Sequence, residues 1–279
     1  MNWRDYLELD LIYWSWAGTS LLALNFSLIG TSLVEKRMTL IGDTLSHAIL
    51  PGVVLCHFLM GTSTGSLLLG GWVSGFLLLL LTFFISKRRS VYQESSFAFL
   101  ALFFVAVGMI LSFKTKTSPE ILHLLFGQVL AFDSDSVVIL SFLTAATLLI
   151  FWFTRRLWSL WIVDPQIFQS QKLSPFLEKT LILVSLSLLM THLTLGLQAL
   201  GAFMTVGLVV IPALISQQLD HRLYRRLFYS ACISIFASFA GVFVSIVLDW
   251  PLGPSVVVIL SVLYMTLLIL KTPRMVKSV

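Results

Sequence analysis

The chain is a succession of apolar runs, each about as long as a bilayer is thick, and this limits the folds open to it. Between charged and turn-forming residues lie Leu11–Leu33, Met38–Met60, Leu67–Ser86, Phe97–Phe113, Val137–Phe153, Leu181–Leu197, Ala199–Ile215, Leu227–Leu248 and Ser255–Leu270. A helix needs about 20 apolar residues to cross the hydrocarbon layer, and each run is of that order. The reading is an all-α, polytopic transmembrane helical bundle of about nine helices. Eight stays open, because the sixth and seventh runs are separated only around Gly196 to Gly201. Composition agrees: 58% hydrophobic and 11% charged, against about 45–50% and 25% in soluble domains. With 279 residues taken up by spans, residues 1–279 form a single transmembrane domain.

Charge sets an expected orientation. If the N-terminus is outside, every Lys and Arg falls in an inside loop except Arg4, Lys114 and Lys116. That asymmetry predicts an external N-terminus and a cytoplasmic C-terminus. The net charge of +5 comes from short basic clusters between apolar runs, which mark topology and exclude a nucleic-acid partner. The contact expected instead is membrane lipid. Cys56 and Cys232 stand far apart in apolar surroundings, so neither a disulfide framework nor a C-x-x-C site is available. The opening residues are acidic and lack a small-residue cleavage site, so the N-terminus is expected to stay on the mature protein.

Within the second run, Gly42-Asp43-Thr44-Leu45-Ser46-His47-Ala48-Ile49-Leu50-Pro51-Gly52 brings a carboxylate and an imidazole to bilayer depth. An ionisable group there costs about 2.5–3.5 kcal/mol on insertion scales and normally faces a partner or a water-filled path. Asp43 and His47 are four apart and share a helix face. They either hold a passing cation or form a hydrogen bond that fixes packing. Gly42 and Ser46 make a small-xxx-small pair that admits a neighbouring helix. Pro51 removes the N–H that would bond the carbonyl of His47, and Gly52 follows, so a bend is expected just past the histidine. One Asp–His pair supplies two ligands where a closed metal site takes four or more, which predicts a second membrane chain, identical or not, bringing another pair.

The stretch Leu40 to Gly52 resembles the G-D-x-L-S-H-A-x-L-P-G signature of the membrane subunits of manganese, zinc and iron ABC importers, the ABC-3 permease family. Leu200-Gly201-Ala202-Phe203-Met204-Thr205-Val206-Gly207-Leu208-Val209-Val210-Ile211-Pro212-Ala213 is similar to that family's G-x-L-L-V-x-A-L-L-I-x-P-A segment, with Gly207 where Ala is usual. The resemblance implies a bacterial cytoplasmic-membrane permease subunit of an ATP-binding cassette importer. Its partners are a separate ATPase subunit and an extracytoplasmic metal-binding protein. A divalent transition metal is then the transported substrate, with no permanently bound cofactor. Carboxylate and imidazole suit Mn, Fe and Zn alike.

Two further stretches carry expectations. Ser118 to Phe132 is apolar but too short to cross, and reads as re-entrant or interfacial, with a Ser118–Pro119 helix start and His123 as a second metal contact or an interfacial histidine. The longest inside loop, Arg155 to Lys179, holds Asp164 and Pro165, a capped short-helix start, followed by Phe168. The resemblance implies that this is the coupling helix seated in a cleft of the ATPase. The family's D-P-E-x-A-x-x-x-G pattern keeps only its Asp-Pro start, since Gln166, Phe168 and Lys172 replace later positions. Trp158 and Trp161 suit a headgroup region. No G-x-x-x-x-G-K-[ST] and no H-E-x-x-H occurs, so the chain is read as a transport subunit and not an enzyme. An ion-gradient-driven metal transporter is the alternative, but neither extra intramembrane carboxylates nor an inverted repeat is evident. A structural or signalling membrane protein is third, and the Asp–His face counts against it.

Overall fold

The computed structural model describes residues 3–61, 63–86, 93–115, 132, 134–163, 175–248 and 250–275. These form eight helices: α1 (Trp3–Glu35), α2 (Thr39–Met60), α3 (Thr64–Ser86), α4 (Gln93–Thr115), α5 (Ser134–Val163), α6 (Pro175–Leu219), α7 (Leu223–Leu248) and α8 (Leu252–Met275). All eight are long and apolar enough to cross a membrane. Their polar side chains are made compatible with that setting locally. Ser27, Thr31 and Ser32 each donate to a carbonyl three or four residues back, at 2.7–3.1 Å, and the same back-bonding recurs along α4 to α8. Each of these hydroxyls is then satisfied without water, whereas those of Ser15, Ser20, Ser230 and Ser234 are buried without a partner among the described residues.

The centre of the bundle is α1, which packs against α5, α6 and α7, while α2 packs against α3, α4 and α6. Leu22, Phe26, Leu45, Ile49, Leu193 and Leu208 are fully buried where these central helices meet. The outer helices turn large apolar side chains outward, among them Phe113, Phe142, Phe153 and Ile269. An apolar surface this broad fits a lipid surround.

The count of eight or nine is decided at Gly201. The 45-residue α6 holds one non-helical residue, Gly201 (φ 77°, ψ 168°), a left-handed value that glycine adopts readily. A Cβ added at Gly196 would lie 2.9 Å from Oγ1 of Thr205, although nine residues of straight helix span about 13.5 Å. The chain therefore folds back on itself. Along α1 the order confirms it: Leu181 lines a cavity with Lys36, Gly196 meets Phe26, Val209 meets Gly30, and Arg226 of α7 pairs with Glu35. The two limbs of α6 thus start and finish at the end of the bundle that carries Lys36. The sixth and seventh apolar runs are two limbs of one folded element, so the eight helices present nine apolar limbs among the described residues.

Loops at that end are held by named groups. At the close of α1, Arg37 has φ 57°, with its N–H on Val34 O (3.0 Å) and the Met38 N–H on Leu33 O (2.8 Å). That is a Schellman cap with arginine in the usual glycine position. Between α6 and α7, Asp220 accepts from the Arg222 N–H at 2.8 Å and pairs with Arg225 at 3.1 Å. Arg226 donates to Glu35 and, at 2.6 Å, to the Asp220 carbonyl. One guanidinium therefore ties the α6–α7 turn to the end of α1.

Candidate metal path

The site stands on the first half of α2. The helix starts after Met38 without a side-chain cap and runs unbroken through Pro51 to Met60. Asp43 and His47 lie one turn apart, with His47 Nε2 3.6 Å from Asp43 Oδ1. That is too long for a hydrogen bond but short enough for both groups to approach one cation. Thr44 and Ser46 are already committed, donating to Leu40 O (2.7 Å) and Gly42 O (2.9 Å). Exposure separates the pair from its surroundings. Gly42, Thr44, Leu45, Ser46 and Ala48 are buried, whereas the Asp43 side chain is 50% and that of His47 34% exposed. With exposed Leu40 they form an uncovered strip along α2.

The supporting residues divide. At Gly52 an added Cβ would overlap Gly70 O, and one at Gly70 would overlap Gly52 O, so the backbones of α2 and α3 cross in contact there. Ser74 of α3 also donates to the Ala48 carbonyl. Pro51 is buried beneath α4, where a Cβ at Gly108 would sit 3.3–3.4 Å from Leu50 and Pro51. Gly42 is roomier, since a Cβ there would meet Val209 and Leu33 at ordinary contact distances of 3.6 and 3.7 Å. Among the described residues no group of three or more His, Cys, Asp and Glu side chains gathers. Asp43 and His47 therefore stand as a pair, 3.6 Å apart, with no third such side chain beside them among the described residues.

Asp164, Pro165, Phe168 and His123 lie outside the described residues, as does Ser118 to Phe132 apart from Phe132 itself, which is buried. The sequence reading passed over the Glu35–Arg226 pair, and it marked the break between the sixth and seventh runs around Gly196 to Gly201 without singling out Gly201. It also passed over His192, fully buried in α6 with Nδ1 2.8 Å from Leu188 O. Only its place inside an apolar run marks it.

The sequence pattern of the ABC 3 transport family matches residues 8–271. The chain belongs to that family. Among similar proteins, the manganese transport system membrane protein MntC of Halalkalibacterium halodurans is 28% identical over 80% of this chain and 74% of its own length. The chelated iron transport system membrane protein YfeD of Yersinia pestis is 25% identical over 81% of this chain and 74% of its own. The fold recurs in PsaBC from Streptococcus pneumoniae in complex with Fab, at a TM-score of 0.83 and 22% identity over 92% of this chain and 90% of that one. A second structure, of an ABC transporter in an inward-facing conformation, superposes at a TM-score of 0.64 and 17% identity, covering 93% of this chain and 85% of that one.

Proposed function

We propose that this chain is the membrane permease subunit of an ATP-driven importer for a divalent transition metal, and that two permease chains meet with their Asp43–His47 strips facing. The observation that carries the proposal is the half-exposed carboxylate and imidazole on a membrane helix. Left against lipid they would be costly, so the working assembly covers them. A symmetric pairing supplies two carboxylates and two imidazoles, a ligand set suited to Mn, Fe or Zn. Relatives named for manganese and iron transport support the metal class. ATP hydrolysis belongs to a separate subunit docked at the loop from Arg155 to Lys179, through the segment opened by Asp164 and Pro165 and carrying Phe168. An extracytoplasmic binding protein delivers the metal.

The end of the bundle that gathers Lys36, Arg37, Arg222, Arg225 and Arg226 faces the cytoplasm on this reading, by the bias of basic residues. Nine passes then put the N-terminus outside and the C-terminus inside a bacterial cytoplasmic membrane. The cargo is bound in passing, because a permease has to release what it admits.

The test is radiotracer uptake of manganese, zinc and iron in cells expressing the full transporter. Asp43→Asn and His47→Ala are expected to lower uptake at least about tenfold, the cost of about 1.4 kcal/mol, while the complex assembles normally. Wild-type uptake of all three metals by both assembled variants would make the pair structural and overturn the proposal.

A further inference from the structure

α5 follows α1 but barely touches α6, and the gap is a cavity of about 140 Å³. Its walls are Ile29 and Leu33 from α1, Ile150 and Phe151 from α5, and Leu188 and Leu189 from α6. Engineered apolar cavities near this size stay dry and admit a group of about six carbons. At one end the cleft is closed by two ties: the indole of Trp158 donates to Ser185 Oγ at 3.1 Å, and Lys36 donates to the Trp161 carbonyl while lying over that indole at 4.2 Å. Along its side the cleft reaches the outer surface, where the lining residues Ile150 and Ile182 are each 37% exposed.

The surroundings indicate what fills it. No carboxylate lines it among the described residues, and the lining includes Lys36. Arg37, Arg155 and Lys179, all exposed, border it: Arg37 follows Lys36, and Arg155 and Lys179 stand about one helical turn from the lining residues Phe151, Trp158 and Ile182. An apolar slot open to the hydrocarbon, ending beneath a basic rim at headgroup level, matches one molecule in both parts.

We infer that the cleft between α5 and α6 binds an anionic phospholipid, one acyl chain lying between Ile150 and Ile182 and the phosphate held at the basic rim beside Lys36. Basic residues near an anionic headgroup each favour it about fivefold, so the site selects by charge as well as by shape.

The experiment uses the intact transporter in nanodiscs that carry trace phosphatidylglycerol with a diazirine in the acyl chain, with cross-links mapped by mass spectrometry. Label is expected to concentrate in the peptides containing Ile150 and Ile182. Phosphatidylcholine of the same chains should give about fivefold less, the factor carried by one basic residue at the surface. Ile150→Trp at the side opening should remove the label without changing the melting temperature. Arg155→Gln with Lys179→Gln should weaken the preference for phosphatidylglycerol. Uniform labelling of the outer faces, equal labelling by the two headgroups, or label that persists in Ile150→Trp would each overturn the inference.

Discussion

Gly52 of α2 and Gly70 of α3 pass so close that a methyl group on either would strike the carbonyl oxygen of the other. The obstructing atoms are backbone, which cannot swing aside as a side-chain tip can. Gly52→Ala and Gly70→Ala are each expected to destabilise by more than the about 1–3 kcal/mol typical of overpacking. Gly42→Ala, with nothing nearer than 3.6 Å, should be tolerated. Thermal unfolding of the purified transporter compares the three. Equal melting temperatures would show that α2 and α3 are not locked at this crossing.

The motif around Asp43 and the number of apolar runs were legible in the sequence because both are local: hydropathy marks a span, and an i,i+4 pair marks a face. Gly201 was seen only as a gap between runs. Its left-handed backbone, which reverses the chain, leaves no trace in hydropathy. Glu35 and Arg226 are 191 positions apart, so their pairing depends on the whole bundle closing around α1. Arg37 hid a helix stop for the opposite reason, since the residue expected in that conformation is glycine. The uncovered strip on α2 needed the packing of α3, α4 and α6, which sequence spacing does not supply.

The cap at Arg37 is a place where the chain carries strain. A left-handed conformation costs about 1–2 kcal/mol for a residue with a Cβ, and more where the side chain is β-branched. Arg37→Gly should relieve that strain and Arg37→Val should add to it, so the two variants should melt in the order glycine above valine. Denaturation of the detergent-solubilised permease measures this, and the reverse order would show that the cap is not a stability element.

The Glu35–Arg226 pair is largely covered, at 19% and 12% side-chain exposure. Removing one partner leaves the other charge poorly solvated, so Glu35→Gln and Arg226→Gln should each be destabilising. The double variant should recover part of the loss, with a coupling of about 0.5–3 kcal/mol in a double-mutant cycle. Strictly additive losses would mean that the two residues act separately.

At the α6–α7 turn, the Arg222 N–H and then the Arg225 guanidinium hold the Asp220 carboxyl below its ordinary value of 3.8. Because the folded-state value is the lower one, the stabilisation is present above the unfolded value and is lost as pH falls through the folded value. The turn should therefore stay protected at neutral and mildly acidic pH and loosen only in stronger acid. Asp220→Asn should be looser at neutral pH and should lose that acid step. Hydrogen exchange across residues 219–226 as a function of pH measures it, and a wild-type profile without an acid step would remove Asp220 from the account.

If two copies share one metal through Asp43 and His47, their α2 helices have to come within ligand distance of a common point. Zinc accepts oxygen and nitrogen donors at about 2.0–2.2 Å, and neither an aspartate nor a histidine side chain reaches far from its helix. Leu40 lies on the same strip as Asp43 and His47, less than a turn before Asp43, and is 52% exposed in the single chain. Near a twofold axis a residue meets its own counterpart, so Leu40 of one chain should lie beside Leu40 of the other. With Cys56 and Cys232 replaced by Ser, Leu40→Cys should form an interchain disulfide on mild oxidation in native membranes. Phe153→Cys, at 81% exposure on the lipid-facing side of α5, should not. Bridging demands Cα atoms within about 7 Å, so a disulfide at Leu40→Cys would set the two α2 strips against each other, whereas cross-linking through Phe153→Cys in preference to Leu40→Cys, in an assembled, transport-competent complex, would place the two α2 strips apart.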